Sequence, residues 1–307
     1  MLEGLAPGLR SRFDRVRCSQ QLYPHFLENA PSHPAHHELA AFERAGRRVL
    51  RIMLAVGVAY YLLAYWITPA LWTHYEHHPA LASAPKTTLT KEGIPGDAMN
   101  IGLVGTEEDV VHSMVAAGWL PADPVTFRTS LHITASALSG KPYPKAPVSN
   151  LYVYGRIEDL AFEQAVPGKA RQRHHVRYWR SDSQGKDGRP FWIGAVTFDR
   201  SVGVSHLTGK ITHHIDGDID EERDKIIADL TAQKQLISEF QVTGIGATLQ
   251  ARNGGGDIYY TDGELSVGVL TASGAENSEA VKIHESPTAV QVKNSVWTAL
   301  RRVLRQF

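Results

Sequence analysis

The segment Ile211-Thr-His-His-Ile-Asp-Gly-Asp-Ile-Asp-Glu-Glu222 holds the densest set of groups able to bind a metal or move a proton. On a strand, Thr212, His214 and Asp216 share one face, and Ile211, His213 and Ile215 share the other. An imidazole and a carboxylate two residues apart on one face can hold a divalent metal or work as an oriented acid/base pair. A second doublet, His174-His175, opens another predicted strand, and Asp199 and His206 flank the turn leading into the first segment. If these strands are neighbours, His214, Asp216 and His175 are the expected metal ligands. His214, Asp216 and Asp199 are then the candidate catalytic groups. The same stretch also has a structural use. Asp218 can cap the helix that follows, Glu221 can complete a capping box, and Asp220 to Glu222 favour the positive end of the helix dipole. The spacing is not that of an EF-hand loop, which needs glycine at the sixth position and an acidic twelfth, where Ile227 stands.

Two further motifs could bind a ligand. Arg252-Asn-Gly-Gly-Gly-Asp257 can curl its backbone amides into an anion-holding nest, with Arg252 and Asn253 as side-chain contacts. It lacks the Lys-Ser/Thr ending of a phosphate loop, so a plain glycine loop before a hairpin competes with that reading. Arg173 and Arg177, interleaved with His174 and His175, can contact phosphates or lipid headgroups, or can stud a strand edge against aggregation. No Gly-x-Ser-x-Gly elbow, His-Glu-x-x-His pair or dinucleotide fingerprint occurs. Lys plus Arg equals Asp plus Glu at 32 each, so no global field favours a nucleic-acid partner.

The elements that must position these groups begin with a membrane anchor. Ile52 to Trp72 is an uncharged apolar run, long enough as a helix to cross a bilayer. Arg44, Arg47, Arg48 and Arg51 crowd its N-terminal side, whereas the next Lys or Arg is Lys86. That asymmetry predicts a cytoplasmic N-terminus and an extracytoplasmic remainder, in the plasma or inner membrane and periplasmic in a Gram-negative cell. The expected organisation is a cytoplasmic arm over 1–46, the membrane helix and flanks over 47–74, a linker over 75–95 and a globular domain over 96–307. The single cysteine, Cys18, lies in the arm, so the domain has no disulfide.

Within the domain, strands are predicted at Asn100–Val104, Leu151–Arg156, His174–Arg180, Phe191–Asp199, Lys210–Asp216, Ile258–Thr261 and Glu264–Leu270. Asp187-Gly188 and Asp262-Gly263 are hairpin signals. Helices are predicted from Thr106 to Ala117, over Val125–Leu138, from Asp218 to about Phe240, and from Pro287 to the C-terminus. The three prolines of Gly140–Ser149 exclude a helix there. The last helix should pack its stripe of Val292, Val296, Leu300, Val303 and Phe307 on the domain. The whole reads as an α+β domain, a mostly antiparallel sheet with flanking helices, preceded by one transmembrane helix.

Six stretches in one order resemble the LssY C-terminal domain family: Pro147–Arg156, Asp159–Glu163, Arg173–Trp179, Gly194–Asp199, Ile211–Asp216 and Arg252–Asp257. The resemblance covers about Gly96 to Leu270. It implies no established activity. Other members join this domain to multi-spanning segments similar to type 2 phosphatidic acid phosphatases or DedA-like proteins, whereas one span precedes it here. The phosphatase signature is missing its Pro-Ser-Gly-His, and Lys210 stands at its acidic position. The company the domain keeps implies envelope lipids or secretion. Two functions follow as expectations. One is an anchored protein whose partners are the lipid bilayer and an envelope or secretion-related protein, and whose far-side domain binds a lipid headgroup, glycan or protein. The other is a hydrolase with a His/Asp-bound divalent metal, acting on an envelope phosphate or glycan.

Overall fold

The structure, a computed structural model, describes residues 35–70, 81, 83–122, 150–169, 172–207, 209, 211–244 and 249–304. The arm before residue 35, the helix expected over Val125–Leu138 and the Gly140–Ser149 stretch lie outside the described residues. The chain divides into two units, 1–68 and 69–307.

In the first unit, α1 (Ala35–Leu62) runs on into a π-helical turn at Leu63–Ile67. Pro69 sits just beyond. It has no N–H to give the carbonyl four residues back, so the ladder widens there. Ala41–Ala70 is the one helix among the described residues long and apolar enough to cross a membrane. The expected division between arm and anchor near residue 46 falls inside this continuous helix.

The second unit runs β1 (Thr87–Leu89), β2 (Pro95–Ala98), β3 (Ile101–Val104), α2 (Glu107–Ala116), β4 (Leu120–Pro121), β5 (Tyr152–Val153), β6 (Arg156–Ile157) and β7 (Leu160–Ala165). It continues with β8 (Arg173–Gln184), β9 (Pro190–Val204), β10 (Ile211–Ile215), α3 (Ile219–Ala232), β11 (Leu236–Thr243), β12 (Leu249–Arg252), β13 (Ile258–Thr261), β14 (Glu264–Leu270), β15 (Lys282–His284) and α4 (Thr288–Leu304). The main sheet has the order β15-β11-β14-β3-β9-β8-β7-β4, with β10 paired to the far half of β9. All its pairs are antiparallel except β11 with β15 and β14 with β3. A small sheet β2-β1-β5-β6 and the ribbon β12-β13 complete the unit.

Period-two alternation sorts the central strands β8 and β9 into two faces. Val176, Tyr178, Trp192 and Val196 join Val110 and Met114 of α2 and Ile226 and Leu230 of α3 in one core. On the opposite face, Trp179, Ile193 and Ala195 join Leu151 and Val153 in a second core. Further along that face the residues turn polar: Arg173, His175, Arg177, Thr197 and Asp199, all buried. Thr106 caps α2 in a reciprocal box with Asp109, and the Asp218 side chain accepts from the Glu221 amide at the start of α3.

Four expectations give way. The helix predicted to about Phe240 stops at Ala232, because Lys234 takes a positive φ and Leu236–Thr243 ladders onto β14. Asp262-Gly263 is a crossover, since β13 pairs with β12 while β14 pairs with β11 and β3. Both Asp262 oxygens accept from Arg223, at 2.7 and 3.1 Å, and the Asp262 amide donates to Asp220 at 2.9 Å, so the turn is tied to α3. The arginine-bearing β8 is an interior strand between β7 and β9, not an edge. Finally, α4 turns its apolar stripe outward: Val292 is 59% exposed and Val296 64%. Its inner face is Val290 and Trp297 with polar anchors. Trp297 donates to Asp220 at 2.8 Å, Arg301 to Asp218 at 2.6 and 2.7 Å, and Lys293 pairs with Glu264. Charge-assisted bonds to buried carboxylates outweigh burial of three valines and a leucine.

Candidate functional site

The polar end of β8 and β9 is the floor of an open cavity of about 390 Å³. The small sheet supplies one wall through Asp97 and Tyr152, β10 another through His213 and Ile215, and the glycine turn a third through Asn253, Gly254 and Gly255. Odd-numbered positions of β8 point here because side chains alternate along a strand. His175 and Arg177 therefore enter the cavity while His174 does not. The His174 ring leaves by the other face, with Nδ1 2.6 Å from Glu222 Oε2 of α3 and its ring tilted against Phe198, centroids 4.9 Å apart.

The cavity charges form a lattice. Arg173 donates to Glu163 at 2.9 Å and to Asp199 at 3.0 Å, and its third contact is His213 Nε2 at 3.4 Å. Arg177 donates to Asp97 at 3.3 Å and lies 3.6 Å from Glu158. Each arginine thus meets two carboxylates. Asp97 is itself positioned by its amide, which donates to Thr88 Oγ1 at 2.8 Å. Burial raises the Asp97 carboxyl above the usual carboxylate range; Arg177 opposes this, and Asp199 adds to it. Glu163 is raised for the same leading reason, against the pull of Arg173. Burial pushes His175 well below the usual imidazole range, and Arg177, Arg173 and His213 add to the shift. His213 is lowered by burial too, with Asp199 opposing. Both shifts favour the neutral imidazole. His175 Nε2 is buried with no hydrogen-bond partner among the described residues.

The glycine turn does not present an open anion nest. The Gly255 and Asp257 amides donate to Asn253 Oδ1 at 3.0 and 2.9 Å, and the Gly256 amide donates to the Asn253 carbonyl at 2.9 Å. Arg252 donates across the same turn to the Gly256 carbonyl at 2.8 Å. The turn joins β12 to β13, and its product is a fixed Asp257. His214 Nδ1 lies 2.7 Å from Asp257 Oδ1, and the Ile215 amide donates to Asp257 Oδ2 at 3.1 Å. His206, His214 and Asp257 each offer one ligand atom, all within 4.8 Å of one another. They are the residues able to hold a metal among those described.

Of the expected metal set, His214 keeps a carboxylate neighbour, but that neighbour is Asp257. Asp216 Oδ1 instead accepts from the Asp218 amide at 3.0 Å, tightening the turn before α3. The register of β10 against β9 shifts between His214 and Ile215, which breaks the simple alternation before Asp216. His175 lies in the cavity with Asp199, Arg177 and Asn253, and its histidine neighbour there is His213. Sequence reasoning missed Asp97, Glu163 and Thr197, which carry no local signature. The pairing of Asp257 with His214 had one available signal, an acidic residue closing a glycine run.

The family model described as LssY C-terminus matches residues 81–265. No curated protein and no solved structure matches the chain. The match spans well over half of the sequence and contains the cavity strands, the glycine turn and the three clustered ligand groups, while β15 and α4 lie beyond it. The site therefore lies within the matched region, and the chain belongs to the LssY C-terminus family.

Proposed function

We propose that this is a membrane-anchored binding protein whose cavity takes a neutral, polyhydroxylated ligand, a glycan or a glycosylated headgroup, on the side of the membrane opposite its N-terminal arm. One observation carries the reading: Arg177 in the cavity lining and Arg173 beneath it are each already paired with two carboxylates. An added phosphate would meet guanidinium groups already committed to carboxylates, beside Glu92, Asp97 and Asp199 in the lining, with Lys91 as the other lining cation. A sugar hydroxyl both donates and accepts. So do a neutral imidazole and a threonine hydroxyl, which His175, His213 and Thr197 supply. The volume is that of a small-ligand site, and Tyr152 at the wall offers a ring for the apolar face of a sugar. The anchor and its four flanking arginines support the orientation.

Calorimetry on the intact chain in detergent micelles tests the ligand class. Neutral oligosaccharides should release or absorb heat saturably, and inorganic phosphate should neither bind nor compete. Competition by phosphate, with no heat from any neutral oligosaccharide, would instead mark an anion site. A hydrolytic use of the bound glycan is favoured by one feature, the three metal-ligating groups beside the cavity; turnover that stops on chelation is its signature.

A further inference from the structure

We infer that His206, His214 and Asp257 form a binding site for one divalent metal ion of the zinc class, at the rim of the cavity. The inference stands on the geometry of these three residues and does not depend on what the cavity holds.

Three separate elements bring the ligands together. His206 comes from the turn between β9 and β10, His214 from β10, and Asp257 from the end of the β12–β13 turn. Convergence of two imidazoles and one carboxylate from three chain segments is not the by-product of one local motif. Two imidazoles plus a carboxylate is a donor set suited to zinc with positions left open for water or substrate. Here the open side is real, since His206 is exposed while Asp257 is buried.

Two glycines are shaped around the site. At Gly203, an added Cβ would fall 2.5 Å from His214 Nε2 and 2.7 Å from its Cδ2. The Nε2–Cδ2 edge of the ring is thus pressed against the β9 backbone, and Nδ1 is the nitrogen that faces Asp257. At Gly256, φ is +90° and an added Cβ would fall 2.8 Å from His206 Cβ. The turn can therefore close on His206 only with glycine there. The closure is bonded as well: the His206 amide donates to the Gly255 carbonyl at 2.9 Å, and Ser205 Oγ donates to the same oxygen at 3.3 Å. The carboxylate is held from behind by the Ile215 amide, and its backbone by Asn253 Oδ1. This is the outer support that orients metal ligands. The ion-pair partner of Asp257 among the described residues is His214, so a cation replacing the shared proton would keep the buried carboxylate compensated.

Ser205, Thr212 and Gly255 line the cavity and flank the ligands in sequence or space. A metal there borders the proposed ligand site.

The test uses the intact chain in detergent micelles, stripped of metal and titrated with Co²⁺ as a visible probe and Zn²⁺ as competitor. The chain has 15 histidines, so the site must be read by difference. The wild type should bind one more equivalent than His206→Ala or His214→Ala, with a visible cobalt absorption that zinc displaces. Both variants should lose that absorption, or bind at least about tenfold more weakly. His206 is exposed, so metal-free His206→Ala should melt with the wild type, and metal should raise the melting temperature of the wild type alone. Equal stoichiometry and affinity in wild type and His206→Ala would overturn the inference, as would a wild type that shows no cobalt absorption.

Discussion

His175 is buried between two guanidinium groups with its Nε2 unpartnered among the described residues, an arrangement that favours its neutral form in the fold. An unfolded histidine takes a proton below about pH 6.5. The unfolded state then binds more protons than the folded one, so stability is fully present above that value and falls as pH drops through it. The slope is up to about 1.4 kcal/mol per pH unit for a fully shifted group. His213 acts in the same sense and more weakly, being half-buried. Asp97 and Glu163, both raised, work in the opposite sense toward about pH 4. Comparing wild type with His175→Gln by urea unfolding at pH 7.5 and pH 5.5 cancels the carboxylates. The wild type should lose about 1 kcal/mol relative to the variant at the lower pH; parallel curves would remove His175 as a buried neutral imidazole. The opposite-facing use of His174 and His175 was legible in the sequence, because alternation is local. The partners of these groups were not. Asp97 and Arg177 are 80 positions apart and His214 and Asp257 are 43 apart, and nothing local encodes such a pairing.

At the scale of elements, local chemistry was read well where the element settles its own fate. The Thr106 cap, the Asp218 cap and the Asp187-Gly188 hairpin all form as their residues dictate. Misreadings arose where tertiary partners overrode periodicity. Leu236 and Ile237 suit a helix face as well as a strand, and the free edge of β14 decided for the strand. The Asp262-Gly263 pair has the composition of a hairpin turn, yet Arg223 and Asp220 hold it as a crossover. Helix α4 shows the same effect most clearly. Its sequence stripe pointed to one inner face, and its polar anchors chose another. Trp297→Ala should therefore lower the stability of the globular unit by about 3 kcal/mol or more, from a large cavity and the loss of one hydrogen bond to Asp220. Val296→Ser should change it by less than about 0.5 kcal/mol. A large loss from Val296→Ser in urea unfolding would show the stripe to be packed.

At the scale of the molecule, the sequence disclosed an α+β unit after one long apolar helix, and the structure has that unit and a helix long and apolar enough to cross a membrane. Strand order was beyond it, because β14 reaches β3 across more than 150 residues and β11 reaches β15 in parallel. That order creates the site: it places β8 and β9 centrally, brings β10 onto the far half of β9, and lets the glycine turn close the polar end. The proposal to test is a cavity for a neutral glycan in a domain on the opposite side of the membrane from the N-terminal arm. Binding of a labelled neutral oligosaccharide to membrane vesicles that carry the chain tests ligand and orientation together. Right-side-out vesicles should bind it saturably, His175→Ala should weaken that binding at least about tenfold by removing a buried hydrogen-bonding ring, and sealed inside-out vesicles should bind none. Binding to inside-out vesicles, or undiminished binding by His175→Ala, would contradict the claim.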